Sequence, residues 1–457
     1  MTGTSILGLV VLNGLFLAVG TSVLFALRGF RAWSEAARLG GLAYMLGIAS
    51  TATVLVWALV VGVPFSLATV LVSGGLVATI ALVAAMRLGR RLPMRRRPSF
   101  PRPSLVTAIA AALVAVYSEA LFRSGRLAAL TEFDGWFFWV PKAKAIYYFG
   151  SLDPQFFREL PHPGYPPLVP VVEAVAFRFM GSTDVVTLHV QFWFLFVGFI
   201  AALVGLLVPR VPSLLLWPPL LLVLVTPHVM GYALQAQADF LLQELIAVSA
   251  LLIALWLAER RDWQLVGATI LLAAAMLSKR EGYVFAGCVL LAGLATTWRE
   301  TRTAWPRLVA VGVAAGAATL PWWILLRVRH LSPEGPEAGG IGLFSHLDLA
   351  WPSLRLTIST LFDYRQWLIV VPVALLAIAA AFAAGARRLP SYAALVYLLG
   401  AAGLTWTTWS FPSIPITKAP VNPIIRLTGW LILMTAAIVP LVLRDGWRAA
   451  GGSEQRE

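Results

Sequence analysis

Long apolar segments dominate the sequence and restrict what it can fold into. Thirteen such segments recur along the 457 residues, and only 12% of the residues are charged, against roughly 25% in an ordinary soluble protein. A helix needs about 20 mostly apolar residues to cross a bilayer, and the shorter segments would have to include flanking residues, so about 11 to 14 spans are possible. The sequence therefore predicts an all-α polytopic membrane protein with about 13 transmembrane helices.

The predicted spans are separated by short connections and by three longer polar stretches. The spans are Ser5–Leu27, Leu42–Val61, Phe65–Met86, Leu105–Leu121, Val185–Leu207, Leu214–Met230, Phe240–Leu257, Trp263–Leu277, Tyr283–Thr297, Leu308–Leu326, Trp367–Ala384, Tyr392–Leu404 and Leu427–Leu443. The longer stretches are Phe122–Asp184, Arg327–Gln366 and Thr405–Arg426. We expect these three stretches to lie together on one side of the membrane.

Basic residues indicate which connections face the cytoplasm. Seven arginines crowd the connection from Arg87 to Arg102, as is typical of a cytoplasmic loop. A nucleic-acid-binding patch is the alternative, but we favour the loop and expect no nucleic-acid partner. Arg28, Arg31 and Arg38 follow the first span and no basic residue precedes it, which predicts an uncleaved span with its N-terminus outside. Counting the predicted spans onward from this N-terminus places the C-terminus in the cytoplasm. The sequence thus predicts a multi-pass plasma-membrane protein.

This topology requires that the apolar segment Leu168–Met180 does not cross the membrane. The segment carries Glu173 and Arg178 and follows two prolines, which favours an amphipathic helix on the outer surface. It then belongs to one large outer loop, Phe122–Asp184, that carries interfacial helices. The chain divides into an N-terminal three-helix accessory block at residues 1–103, a core at 104–326, and an outer loop with C-terminal helices at 327–457.

Charged residues are rare inside the predicted spans and collect at their outer ends. Glu119 and Glu244 are the acidic residues within spans, and both lie near an outer end. An ion-coupled transporter would place titratable groups near mid-membrane, so this pattern counts against one. All lysines fall on the predicted outer side, against the usual bias, where a lipid phosphate would explain them. The plain alternative is that lysine tolerates exposed loops. The four lysines are Lys142, Lys144, Lys279 and Lys418.

The segment Thr131–Phe149 combines acids, aromatic residues and lysines just after a span. Glu132 and Asp134 open it, and eight aromatic residues follow within residues 133–149. Aromatic rings favour the membrane–water interface, which would hold the carboxylates at headgroup depth. Such a carboxylate is suited to act as a general base toward a hydroxyl group, with lysines stabilising a phosphate leaving group. A plain interfacial anchor with solvated acids is the alternative.

Other polar residues recur at the same predicted level. His162 and Tyr165 lie in a proline-rich stretch and present polar tips to a ligand, unless the stretch is only a rigid turn. Asp239 begins a span, where the plain alternative is that it complements the helix dipole. Lys279-Arg-Glu-Gly282 joins two short spans and Arg426 precedes the last one; either is suited to phosphate binding or to anchoring at the interface.

In their order along the chain, these residues resemble a known family, the membrane-embedded GT-C glycosyltransferases, in particular the branch of protein O-mannosyltransferases and lipid A aminoarabinose transferases. That family has an acidic motif in the first large outer loop, then a Pro-Pro-Leu motif, an aspartate and a Lys-Gly or Lys-Asn-Glu-Gly turn. The corresponding residues are Glu132/Asp134, Tyr165-Pro-Pro-Leu168, Asp239 and Lys279-Arg-Glu-Gly282. The resemblance covers about Leu105 to Tyr283.

The resemblance implies a GT-C-like fold and inverting transfer of a sugar from a polyprenyl-phosphate donor. The acceptor would be a hydroxyl group of a glycan, lipid or protein on the outer face of the bilayer, with no cofactor and with a divalent metal left open. Asp134 would be the base and Glu132 the second acid of the motif, although the intervening Phe133 leaves their roles open. The implied donor-phosphate ligands are Lys142, Lys144, Lys279, Arg280 and Arg426. The implied substrate-binding residues are His162, Tyr165, Asp239 and Glu281.

Two other functions fit a polytopic chain with a basic surface. A flippase or exporter of lipid-linked sugars would share these features, but the absence of mid-membrane charge and of a visible repeat counts against it. A non-catalytic membrane scaffold would need neither the carboxylates nor the outer lysines. We therefore favour the glycosyltransferase.

Overall fold

A computed structural model describes residues 3–93, 103–152, 155, 159–331, 347–410 and 423–451, and the regular elements in these ranges are helices. They are α1 (Gly3–Arg28), α2 (Trp33–Arg38), α3 (Gly40–Val60), α4 (Leu67–Arg87), α5 (Leu105–Gly125), α6 (Val140–Phe149, after a π-helical turn Gly135–Trp139), α7 (Leu168–Met180), α8 (Val185–Leu207), α9 (Ser213–Leu224), α10 (Pro227–Tyr232), α11 (Ala238–Glu259), α12 (Asp262–Ser278), α13 (Glu281–Thr296), α14 (Trp305–Ala317), α15 (Leu320–Val328), α16 (Ala350–Leu361), α17 (Tyr364–Trp367), α18 (Val370–Ala383), α19 (Arg388–Ser410) and α20 (Pro423–Ala449). The prediction of an all-α chain is confirmed for the described residues.

Nine helices in the described ranges are long and apolar enough to cross a membrane. They are α1, α3, α4, α5, α8, α11, the continuous pair α14 and α15, α19 and α20. Residues 347–367 and α18 form a bent pair at 109° that adds a tenth if it is one broken span. The apolar helices α9, α12 and α13 are shorter. The chain is therefore a helical membrane protein, and the count of about 13 spans stays a prediction.

One helix, α11, forms the centre of the bundle. Every residue from Ala238 to Leu257 is buried, so this helix has no lipid-facing side. It packs against α8, α12, α13, α19 and α20, as expected of a helix that is apolar all round. The helices α4 and α5 lie at the periphery, where most of their residues are exposed. Exposed apolar side chains on α4 and α5 are suited to contact lipid.

The helices α1 and α3 approach closely because glycine occupies their contact. A Cβ atom on Gly20 would lie 1.6 Å from the carbonyl oxygen of Ala43, and one on Gly47 would lie 1.8 Å from that of Phe16. Only residues without a side chain allow this approach, as in other membrane helix pairs. The pair then packs against α7 and α8, so the first helices share one buried core with residues 104–326.

The helix α7 begins and ends where the sequence predicts, but the prediction that it lies on a surface was wrong, because it is buried in the bundle. That it does not cross the membrane stays a prediction. Most of its residues are buried, because α1, α3, α6 and α12 pack around it. The absent side chain of Gly8 allows α1 to approach, since a Cβ there would lie 1.9 Å from the carbonyl oxygen of Phe179. Glu173 is fully buried, and burial raises the pKa of this carboxyl group. The helix is thus part of the core.

One end of the bundle gathers the short basic connections. Arg28 pairs with Glu35 at 2.6 Å, and Arg210 pairs with Glu259 at 2.5 Å. Glu300 contacts Arg260, which follows Glu259, and also Arg388, so the connections of Glu300 and Arg388 lie at the same end. These are the loops that the sequence predicts to be cytoplasmic. The structure shows that they share one end of the bundle; which side of the membrane they face stays a prediction.

Candidate functional site

Helix ends from distant parts of the chain meet at the opposite end of the bundle. Asp239 lies in the first turn of α11, Lys279 follows α12, and Glu281 begins α13. Arg426 lies in the first turn of α20. Asp134 directly precedes the π-helical turn before α6. The close packing of α11 against α12, α13 and α20 brings these ends together.

These five residues form an alternating series of charges that we call the ionic chain. The Nζ atom of Lys279 lies 2.7 Å from Oδ1 of Asp239 and 3.2 Å from Oε1 of Glu281. The Nη1 atom of Arg426 lies 2.6 Å from Oδ2 of Asp134 and 3.5 Å from Oδ2 of Asp239. Asp239 therefore contacts both cations. The order is Glu281, Lys279, Asp239, Arg426, Asp134.

The middle of the ionic chain is buried and its two ends are more accessible. The side chains of Asp239 and Lys279 are 3% and 4% exposed, whereas those of Glu281 and Asp134 at the two ends are 12% and 16% exposed. Burial alone would lower the pKa of Lys279, but Asp239 and Glu281 outweigh it and hold that pKa above its usual value. Lys279 is therefore a permanent cation, and Asp134 is the carboxylate closer to solvent.

An aromatic stack borders the ionic chain. The ring of Tyr165 stacks on His162 at a centroid distance of 4.7 Å and on Trp139 at 5.7 Å. The guanidinium carbon of Arg280 lies 5.7 Å from the centre of the Tyr165 ring. Burial raises the pKa of Tyr165, and the charges of Glu281 and Arg280 also act on it, which places the stack beside the chain. Flat aromatic faces and nearby cations are suited to a sugar or phosphate ligand.

Lys142 is a buried cation beneath this stack. Its Nζ atom donates to the backbone oxygen of His162 at 2.6 Å and lies 5.5 Å from the ring centre of Phe138. Burial and the positive charge of Arg280 lower the pKa of Lys142 to about 7. Burial, followed by the Lys142 charge, lowers the pKa of His162 to about 4, so this imidazole is neutral at pH 7. The charge of Lys142 therefore responds to pH near neutrality.

Glu132 forms no ion pair with the members of the ionic chain within the described residues, and it fastens the loop to the bundle. Its Oε1 atom accepts a hydrogen bond from the backbone nitrogen of Ala236 at 2.6 Å and lies 3.4 Å from Nε2 of His189. Gly135 allows this close fit, since a Cβ there would lie 2.5 Å from Cγ of Glu132 and 2.9 Å from the oxygen of Ala236. Burial alone would raise the pKa of Glu132, but the hydrogen bonds outweigh this effect and hold the pKa below its usual value. The group therefore stays ionised. Glu132 is suited to positioning Asp134.

The structure brings together most of the residues that the sequence singled out, with two exceptions. Lys144 is half-buried and makes no ion pair within the described part of the chain. It follows Lys142 by two residues, so the two side chains leave the helix in different directions. Lys418 lies outside the described residues. The geometry thus gives no support to Lys144 as a phosphate ligand.

Three site residues escaped the sequence analysis. Gln237 accepts a hydrogen bond from Nη1 of Arg426 at 2.9 Å, and Gln243 donates to the backbone oxygen of Arg426 at 2.6 Å. His189 faces Glu132. For Gln243 and His189 the available signal was a polar side chain inside an otherwise apolar helix, because such groups in membrane proteins usually bond across helices, whereas Gln237 precedes α11.

The described residues hold no group of three or more histidine, cysteine, aspartate or glutamate side chains that could bind a metal ion. The functional groups of the candidate site are carboxylates, cations and aromatic rings. No protein-family model, no curated protein and no solved structure matches this chain.

Proposed function

We propose that this chain is an inverting membrane glycosyltransferase that moves a sugar from a polyprenyl-phosphate donor to a hydroxyl acceptor. The observation that carries the proposal is the ionic chain, in which consecutive ion pairs connect Asp134, Arg426, Asp239 and Lys279 from four separate segments. Two permanent cations beside a solvent-accessible carboxylate provide a phosphate ligand and a base in one place. A GT-C-like arrangement, with the site on the outer face of the plasma membrane, is part of the proposal.

In this proposal, Asp134 is the general base. Its carboxylate accepts the proton of the acceptor hydroxyl while that oxygen bonds to the anomeric carbon of the sugar. The bond between this carbon and the phosphate oxygen breaks, and polyprenyl phosphate leaves with the electron pair. Attack from the side opposite the phosphate inverts the anomeric centre. Removing such a base typically costs about 10² to 10⁴-fold in rate.

Arg426 and Lys279 would bind the donor phosphate and stabilise the charge it gains as it leaves. Arg426 also contacts Asp134, so the phosphate and the carboxylate compete for one guanidinium group. A donor phosphate that takes over this contact leaves the carboxylate free to accept a proton. Donor binding would then activate the base, so the base would be available only when the donor is in place.

The aromatic stack and the neighbouring cations supply the remaining contacts in the proposal. His162 and Tyr165 would face the sugar, with Arg280 and Lys142 next to them. Asp239 and Glu281 would hold Lys279 in position. A sugar hydroxyl is well placed beside such flat rings and fixed charges.

The test is transfer by purified protein from a panel of polyprenyl-phosphate sugars, followed as release of polyprenyl phosphate. Asp134→Asn should lose at least 100-fold in rate while still expressing and inserting, because the change keeps the volume and removes the proton acceptor. Asp348→Asn is the matched control, since Asp348 is an exposed aspartate outside the cluster. If wild type and Asp134→Asn release polyprenyl phosphate at the same rate, the role of Asp134 as the base is contradicted. Absence of release with every donor would contradict the function.

A further inference from the structure

A polar cavity lies at the other end of the bundle from the ionic chain. Its volume is about 740 Å³, and five of its lining residues are arginines. Helix α12 begins at Asp262 beside this cavity and ends at Ser278 next to Lys279. Its 17 residues correspond to about 25 Å along the helix, so the cavity is separate from the candidate site. The residues that form its polar wall are Arg28, Arg31, Arg90, Arg91, Arg261, Asp262 and Trp263, and the one acid among them, Asp262, contacts Arg307 at 3.3 Å.

Two glycines at helix ends shape the cavity. Gly29 directly follows α1 and has a φ of 67°, and Gly89 follows the end of α4 and has a φ of 63°. Glycine adopts this left-handed conformation without steric cost. These turns direct Arg31 and Arg91 to the same cavity. Arg90 joins the two ends, since its guanidinium donates to the carbonyl oxygens at the end of α1, those of Ala26 and Leu27. The arginines are thus held by backbone geometry.

The positive charge in the cavity is only partly neutralised. Arg28 pairs with Glu35 at 2.6 Å, but its Nη1 atom is buried and has no hydrogen-bond partner within the described ranges. Arg31 and Arg91 are exposed and form no ion pair with any described residue. Arg261 contacts Glu259 at a distance of 3.4 Å. Since buried donors are nearly always satisfied, the unused Arg28 donor indicates an acceptor that the described residues do not supply.

The cavity borders a surface suited to acyl chains. On α4, which ends at the cavity, Ile80 is 61% exposed and Met86 is 71% exposed, and Leu88 just beyond it is 63% exposed. An anion carried on acyl chains could therefore lay its chains along α4 and its phosphate against the arginines. Inorganic phosphate has the same charge chemistry but would leave this apolar surface unused. The volume also exceeds what one phosphate ion fills.

We propose that this cavity binds the phosphate of an anionic phospholipid headgroup. Basic pockets between membrane helices commonly bind such headgroups, and guanidinium groups contact phosphate with paired, charge-assisted hydrogen bonds. Trp263 closes one side, with the guanidinium carbon of Arg28 lying 5.3 Å from its ring centre. The bound lipid would join the ends of α1, α4 and α12.

The experiment measures retention of phosphatidylglycerol and of phosphatidylcholine by the purified full-length chain, using native mass spectrometry. Wild type should retain phosphatidylglycerol in preference to phosphatidylcholine. The double variant Arg31→Gln with Arg91→Gln should bind it about 30-fold more weakly, because a basic residue near a lipid surface contributes roughly five-fold in affinity. Both side chains are exposed, so the fold does not depend on them. The control is Arg299→Gln with Arg302→Gln, which removes equal charge from an exposed connection outside the cavity.

Two results would overturn the proposal. Equal weakening in the control variant would show that general surface charge, and not the cavity, retains the lipid. Displacement of phosphatidylglycerol by about 10 mM inorganic phosphate, added as a separate arm, would identify free phosphate as the occupant, since a lipid held also by its chains should resist it. The proposal is supported if inorganic phosphate does not displace phosphatidylglycerol and if the control variant retains this lipid as well as wild type does.

Discussion

The Nη1 atom of Arg426 lies 2.6 Å from Oδ2 of Asp134, although one residue belongs to the last described helix and the other to the first large loop. This contact joins the candidate base to the candidate phosphate ligand. It also leads to the first prediction, since a phosphate and a carboxylate that share a guanidinium group must compete for it. Charge at position 426 should therefore govern donor binding.

Arg426→Ala should weaken equilibrium binding of a polyprenyl phosphate by roughly 10- to 150-fold, because a hydrogen bond to a charged group contributes about 1.5 to 3 kcal/mol. Arg426→Lys should recover only part of this loss, since an ammonium group lacks the paired donors of guanidinium. Arg302→Ala removes the same charge from an exposed connection at the other end of the bundle and should bind normally. If Arg302→Ala binds as weakly as Arg426→Ala, the ionic chain is not the phosphate site.

A second prediction separates the two acids of the loop. Glu132→Ala should lower the free energy of unfolding by about 1 to 3 kcal/mol, because the buried nitrogen of Ala236 loses its acceptor. Glu132→Gln keeps an acceptor oxygen and should retain most of the stability. Thermal unfolding of the purified variants in detergent measures the difference. Equal melting temperatures for wild type and Glu132→Ala would show that Glu132 does not hold the loop.

The sequence located the charged residues of the ionic chain but not their partners. Asp134, Asp239, Lys279 and Arg426 were recognisable because each lies where an apolar helix begins or ends. Their pairing depends on which helix ends meet, and apolar periodicity does not encode that. Lys144 shows the same limit, because residues two apart on a helix face different directions and only the packing decides which one turns inward.

The fold shows a similar division between local and long-range information. The bounds of α7 followed from composition, since an apolar segment bounded by prolines and Gly181 is easily recognised. Its burial did not, because it results from the approach of α1 at Gly8, a contact between residues far apart in sequence. An apolar stripe along one side of a helix does not tell whether that side faces a membrane surface or another helix.

A third prediction concerns sidedness. In a Cys288→Ser background, single cysteines at Ser151 and Ser182 should both react with an impermeant thiol reagent added outside intact cells. Ser151 is exposed and Ser182 half-buried, and both belong to the loop that carries Asp134. A cysteine at Arg302 is the control and should react only after permeabilisation. Labelling of Ser182 that requires permeabilisation would contradict the predicted topology and the outer location of the site.

The last prediction uses the pH dependence of Lys142. Burial and Arg280 lower its pKa from 10.5 to about 7, so the unfolded chain binds more protons than the folded one between these values. Stability contributed by this group is therefore present above pH 10.5 and is lost as the pH falls toward 7, where the folded protein must bury a charge. Between pH 9 and pH 7 the loss corresponds to about 2 kcal/mol.

Lys142→Met removes this charge while keeping an apolar chain of similar length. The variant should gain melting temperature relative to wild type, and the gain should be larger at pH 7 than at pH 9, because only wild type carries the buried charge at the lower pH. Lys144→Met is the matched control, since Lys144 lies on the same helix and is half-buried and its substitution removes an equal charge. A pH-independent difference between Lys142→Met and wild type would show that Lys142 keeps its charge throughout. It would then be a permanent phosphate ligand, and donor binding would not weaken as the pH rises through 7.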